Sequence, residues 1–273
     1  MENFFLTLAY VAIGASAGFL GGLLGVGGGV IVVPALIFIF ETTGQFSSSD
    51  LSPNVLVLFA TGTSMASIIF TTGSSAVAQM RRRNIDWSMV QIWMPMLMIG
   101  AFASSYIAKF MPIQLLKGFI GTFLIFVAFV LLLNKLPQSK RNRPSIVPTA
   151  MVASTGGLVS GLVGIGGGNV VVPSLLYFKT PVIRAAAVAS TCGFGVAVSG
   201  AIGYFLNGSV IEHPWALGYI YLPALLPIAV ANTICAPIGV HFAQRVPSDR
   251  LKKIFGGMMC VVSLFMFYSM ISS

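Results

Sequence analysis

Residues 21–33 read GGLLGVGGGVIVV, and residues 160–172 read SGLVGIGGGNVVV. Consecutive glycines release the backbone from helical geometry and leave amide groups free to donate hydrogen bonds. Such donors suit an anion, above all beside the positive end of a helix. A nucleotide phosphate is the first anion to test, and the spacing fails it. Gly22-Leu-Leu-Gly25-Val-Gly27 is not GxGxxG, and no lysine with a following Ser or Thr closes Gly25–Gly29. Close packing of membrane helices also uses small residues, and it accounts for Gly100, Gly118, Gly121, Gly256 and Gly257. The two patches differ from those in being consecutive and in occurring twice.

The chain has 273 residues, of which 56% are hydrophobic and only 8% charged. A soluble domain carries about 25% charged residues, so this composition cannot cover a globular surface. Runs 3–40, 51–80, 87–108, 118–134, 144–178, 185–211, 214–240 and 254–273 contain no Asp, Glu, Lys or Arg. A spanning helix needs about 20 apolar residues. Most runs match one span, whereas 3–40 and 144–178 accommodate two short segments each, and both hold a glycine patch. An all-α polytopic membrane protein follows. The net charge of +9 comes from basic residues at the edges of these runs, where topogenic charges sit, and does not point to nucleic acid. Six acidic residues and two histidines are too scattered for a catalytic or metal cluster. No enzyme activity and no cofactor are expected. Cys192, Cys235 and Cys260 lack metal-ligand spacing.

The patches mark a duplication. Gly18 pairs with Gly157, Gly22 with Gly161, Gly25-Val-Gly27-Gly28-Gly29 with Gly164-Ile-Gly166-Gly167-Gly168, and Pro34 with Pro173, all at an offset of 139. Thr63 then sets against Thr191, and Pro112 against Pro247. A basic, proline-flanked linker at 135–143 divides an N-terminal repeat, 1–138, from a C-terminal repeat, 139–273. Charge suggests that the repeats are inverted. Glu41 and Asp50 face Lys179 and Arg184 at one matched loop. Arg81, Arg82 and Arg83 face a loop at 205–213 with no Lys or Arg. With the linker cytoplasmic, loops 79–86, 179–184 and 245–253 lie inside, loops 41–50, 109–117 and 205–213 outside, and both termini outside. Eight simple spans with parallel repeats are the alternative.

In lipid, unwound backbone must be hidden in protein or face a wet cavity. Two breaks meeting near the bilayer centre make a substrate site for an anion without a buried cation. The candidate substrate-binding residues are Gly25, Gly27, Gly28, Gly29, Gly164, Gly166, Gly167 and Gly168. The hydroxyls of Thr61, Thr63, Ser64 and Thr191 join them, with Cys192 and with Asn169, where the first repeat has Val30. Cys192 reads first as a small buried hydrophobe and second as a contact for a sulfur-containing substrate, whereas Asn169 reads equally as a substrate contact and as a helix cap. Pro34 and Pro173 are candidate structural hinges, fixing where the second segment bends.

GGLLGVGGGVIVVPAL and GLVGIGGGNVVVPSLL resemble the signature segments of the sulfite exporter TauE/SafE family of membrane permeases, and the resemblance covers essentially the whole chain. It implies a secondary transporter in the cell inner membrane. The implied substrate is a small, sulfur-containing anion such as sulfite, thiosulfate or an organosulfonate. The partners expected are that anion and membrane lipid, with a coupling proton or ion and a homo-oligomer both left open. A passive anion channel and a non-transporting assembly protein are the competing readings.

Overall fold

A computed structural model describes residues 2–25, 27–44, 54–132, 146–208, 215–243, 245 and 247–272. Ten helices occupy these residues: α1 (Glu2–Leu24), α2 (Gly29–Thr43), α3 (Asn54–Arg81), α4 (Trp87–Phe110), α5 (Ile113–Leu132), α6 (Ile146–Val163), α7 (Gly168–Tyr177), α8 (Val182–Asn207), α9 (Leu222–Ala243) and α10 (Ser248–Ser272). A two-residue hairpin, β1 (Ala216–Leu217) and β2 (Ile220–Tyr221), precedes α9. Six helices are long and apolar enough to cross a membrane by length and composition. The repeat boundary and the linker at 135–143 lie outside the described residues.

The helix partners obey the duplication. Counting five helices per repeat, α1 packs on α9 as α6 packs on α4, and α3 on α9 as α8 on α4. The self-matched pairs α3·α8 and α5·α10 pack directly. Their direction decides the symmetry. Along α3 and α8, Gly62 neighbours Tyr204, Met65 neighbours Gly200, and Thr72 neighbours Gly193, so the two run antiparallel. Along α5 and α10, Gly118 faces Met270 and Leu132 faces Gly256, again antiparallel. Equivalent helices pointing in opposite directions require a two-fold axis across the helices, which is an inverted repeat. The offset agrees: shifting each member of Met65–Gly200 by 128 gives the observed Thr72–Gly193 contact.

Glycine brings the outer pairs to backbone contact. A side chain at Gly22 would strike the Ala236 carbonyl, one at Gly239 the Phe19 carbonyl, and one at Gly157 the Leu97 carbonyl. Small residues allow this approach where no water drives the helices together. The expected division of 3–40 into two short arms needs correction. α1 has 23 residues, a full-length crossing, and only α2 is short. Gly18 and Gly22 stay helical under cover of α9, and Gly21 against Thr71 of α3, leaving the break to Gly25, Gly27 and Gly28. In the second repeat α6 has 18 residues and α7 has 10.

Two contacts fix which loops share an end. Lys117 donates to Glu41 at 2.6 Å, joining the last turns of α2 to the start of α5. Arg82 lies 2.8 Å from Nδ1 of His241, joining the α3 end to the α9 end. Both pairings agree with the loop sides expected from charge. Trp87 and Trp215, at span ends, are exposed, as interfacial aromatics are.

Replacing Gly22 or Gly157 with Val should lower stability by about 1–3 kcal/mol through overpacking. Gly257→Ala meets nothing within 4 Å and should be neutral. Thermal melting of the three variants in detergent checks this, and equal melting would remove the glycine contacts as the reason for the helix spacing.

Candidate functional site

Each glycine patch turns the chain back on itself. Gly25, Gly27 and Gly28 have φ of 72°, 87° and 75°, and Gly164 and Gly167 have φ of 72° and 34°. These left-handed values are costly for any residue with a Cβ. Gly28 comes to rest against Ala17 of α1, which a continuous helix would hold far away. Gly28 and Gly167 are the residues preceding α2 and α7, and no side chain caps either helix. α2 and α7 measure about 22 and 15 Å at 1.5 Å per residue, so both fall short of the bilayer core of about 30 Å, α7 by half. Their N-terminal ends meet in the interior.

The two patches touch. A Cβ built on Gly27 would lie 3.4 Å from the Cα of Gly166, and one on Gly29 would lie 3.0 Å from the Cα of Ile165 and against the Gly164 carbonyl. Gly25 abuts the Ala186 carbonyl of α8, and Gly164 abuts Thr61 of α3. Gly166 also lies beside Gly193, and Gly167 beside Val196, both of α8. Gly168 opens α7, with its amide bonded to the Gly166 carbonyl. All eight candidate glycines are buried.

The hydroxyls are mostly engaged. Ser64 donates to the Gly164 carbonyl at 2.8 Å, which ties α3 of one repeat to the break of the other. Thr61 bonds the Val57 and Leu58 carbonyls of its own helix, and Thr191 bonds Ala187. Thr63 accepts from the Tyr221 amide at 2.9 Å and anchors the hairpin. Burial raises the phenol pKa of Tyr219 and Tyr221 in that hairpin, so both stay neutral. Cys192 is fully buried with a free thiol. Pro34 and Pro173 both lie inside the helices that follow the breaks.

Asn169 stands apart. It is 4% exposed, and both its amide oxygen and its amide nitrogen lack a hydrogen-bond partner. A buried unpaired polar group costs about 1–3 kcal/mol, so this side chain is poised for something other than the resting fold. Sequence reasoning missed Tyr204, whose hydroxyl donates to the Gly161 carbonyl at 3.0 Å, one turn before the second break. It also missed Lys117, whose cation is buried but paired at the periphery. An α4–α6–α7 cleft of about 410 Å³, lined by Trp93, Thr149, Val152, Pro173 and Ser174 among others, is walled almost wholly by carbon and does not suit an anion. Among the described residues, no group of three His, Cys, Asp or Glu is placed to hold a metal.

Comparison with known proteins agrees with this architecture. Residues 10–266 match the family described as sulfite exporter TauE/SafE. The chain belongs to that family. It is therefore a polytopic membrane transporter and not an enzyme. A "probable membrane transporter protein" of Haemophilus influenzae is 29% identical over 270 residues, covering 97% of this chain and 99% of the relative. One from Methanocaldococcus jannaschii is 28% identical, covering 94% and 93%. One from Bacillus subtilis is 29% identical, covering 80% and 82%. No solved structure matches.

Ser64→Ala and Tyr204→Phe each remove one hydrogen bond to a carbonyl at the second break. Each should cost about 1 kcal/mol of stability. Thermal melting against wild type measures it, and unchanged melting in both would mean that these bonds do not hold the break.

Proposed function

We propose that this protein is a secondary transporter that carries a small, sulfur-containing anion between its two inverted repeats by alternating access. The observation that carries the reading is the contact of the two breaks that precede uncapped helices, Gly27 against Gly166 and Gly29 against Gly164 and Ile165, with the unpaired amide of Asn169 in the first turn of α7. Helix starts offer partial positive charge. They hold an anion without a buried Lys or Arg, whose charge would trap it. The amides of Gly25, Gly164, Gly167 and Gly168 are bonded to the carbonyls of Gly21, Gly161, Ile165 and Gly166 in this structure and would have to change partner to meet an anion.

In this reading Gly25, Gly27, Gly28 and Gly29 form one half of the substrate site, and Gly164, Gly166, Gly167 and Gly168 the other. Asn169 donates its Nδ2 hydrogens to a sulfonate or sulfite oxygen. Ser64 and Thr61 border the site from α3, and Thr191 and Cys192 from α8. Ser64 is the group that changes partner, releasing Gly164 when the repeats part. Pro34 and Pro173 each lie inside the short helix beyond a break and set how it bends. The repeats rock about the central contact and expose the site to one side at a time.

The basic ends orient the chain. Arg81, Arg82, Arg83, Lys179, Arg184 and Arg245 share the end to which α3, α7 and α9 lead, and Lys109 and Lys117 share the other. The positive-inside rule makes the first end cytoplasmic, with the linker at 135–143 inside and both termini outside. The membrane is the inner one.

Uptake into vesicles of purified protein, screened over sulfite, thiosulfate and organosulfonates with pH and voltage varied, tests the function. Saturable uptake with counterflow is expected. Large unsaturated currents without counterflow would make it a channel, and no flux at all an assembly protein. Asn169→Val, which copies Val30, should lower affinity by ten- to a hundredfold, because a hydrogen bond to a charged partner contributes about 1.5–3 kcal/mol. Its melting temperature should hold or rise. Gly28→Leu should abolish uptake while protein remains in the membrane, and normal uptake would make the patch mere packing.

Sidedness has its own measurement. With impermeant thiol labelling of intact cells, Trp215→Cys should react from outside and Arg83→Cys only after the membrane is opened. The reverse pattern would overturn the orientation.

A further inference from the structure

From the glycine site outward, a row of buried polar side chains follows one face of α3. Ser64, Ser67, Thr71, Ser75 and Gln79 recur every three or four residues, which stacks them on one side of a helix. All are at most 2% exposed. Ser64 touches the second glycine break, and Gln79 lies at the Arg81–Arg83 end, so the row runs from the central site to one face of the protein.

Two further walls complete the row. From α9, Asn232 is fully buried, with its Nδ2 only 3.4 Å from the Ser67 carbonyl and its Oδ1 without a partner. From α1, Gly18 and Gly21 present no side chain. A Cβ on Gly18 would lie 3.2 Å from the Asn232 Oδ1, and one on Gly21 would lie 3.0 Å from the Thr71 methyl. Ser75 Oγ also lacks a partner. The Thr71 hydroxyl reaches the Ser67 carbonyl only at 3.4 Å. At the far end Asn84 donates to the Gln79 side chain at 2.9 Å and closes the row.

The matching face of α8 is built differently. By the 128 offset its positions are Cys192, Gly195, Ser199, Gly203 and Asn207. Met94 and Met98 fill the space at Gly195. Ser199 bonds the Met98 carbonyl at 2.6 Å, and Asn207 bonds Ser105 Oγ at 2.8 Å. Every polar side chain of that row is satisfied, whereas the α3 row carries unmet groups on two helices.

We infer that the α3 row, faced by Asn232, is the cytoplasmic half of the anion path, shut in this structure. Hydroxyl and amide donors pass the anion from the glycine site towards the Arg81–Arg83 end when α1, α3 and α9 part. The choice of an anion rests on the transport reading above. The existence of a wettable path does not.

The test separates the two. A membrane-impermeant thiol reagent bearing a sulfonate is applied from the cytoplasmic face to Ser75→Cys, Thr71→Cys and Val77→Cys in inside-out vesicles. Val77 lies on the opposite, exposed face of α3. Wild type, with its three apolar-sited thiols, gives the background. The first two should react at least tenfold faster than Val77→Cys, and methanesulfonate, which does not consume the reagent, should slow them. Equal rates at all three positions would overturn the path. Fast labelling without protection by any anion would keep a wet path and remove the anion from it. Ser75→Ala should lower vesicle uptake tenfold or more with melting unchanged or raised, and a fall in melting with normal uptake would make Ser75 structural only.

Discussion

Lipid offers no hydrogen bonds, and this single fact governs the arrangement of the protein. A helix can be interrupted inside a membrane only where other protein covers the interruption. Two interruptions that face each other solve the problem mutually. Gly27 lies against Gly166, Gly29 against the Gly164 carbonyl, and Ser64 caps that same carbonyl from α3. The inverted repeat is what allows it. A two-fold axis across the helices brings each break to the middle from opposite faces, with the short helices α2 and α7 starting there.

Packing follows from the same requirement. The breaks stay buried only if the surrounding helices close tightly, and side chains of ordinary size would hold them apart. Hence the glycines of α1, α4, α6 and α9 sit backbone to backbone at Gly22–Ala236, Gly239–Phe19 and Gly157–Leu97. Gly157 on Leu97 has its counterpart in Gly18 on Asn232, and Gly22 on Ala236 in Gly161 near Ala101. The large aromatics take the remaining interior. Tyr204 and Phe59 flank Tyr219, whose hairpin plugs the space between α3 and α8.

Much of this was legible in the residues. The offset of 139 identified the repeats, the loop charges gave the inversion, and the consecutive glycines marked the breaks. Those signals are local or periodic. What escaped was whatever depends on a distant partner. Nothing around Tyr204 announces a bond to Gly161, 43 residues away. Lys117 reads as an edge charge, although Glu41 takes it inward. The hydroxyls of Thr61 and Thr191 looked free and are bonded to their own helices. The length of α1 was misjudged because glycine propensity is a weak prior once a neighbouring helix packs on it.

Departures from symmetry then acquire meaning. A chain whose halves were identical would place inward-open and outward-open forms at equal energy, since exchanging the roles of the repeats converts one into the other. Here Asn169 replaces Val30, Asn232 replaces Leu97, and the α3 row is polar where the α8 row is filled by methionine and glycine. Each exchange weights one form over the other by what its polar group gains or loses on closing. Unmet groups on the α3 side raise the energy of the form in which that side is shut. Bonds at Ser199 and Asn207 lower the energy of the form in which the α8 side is shut. Both act in the same direction, towards opening at the Arg81–Arg83 end. On the alternating-access reading proposed above, the closed arrangement seen here is thus biased to open first at the Arg81–Arg83 end, and a ligand shifts that balance only by its difference in affinity between the two forms.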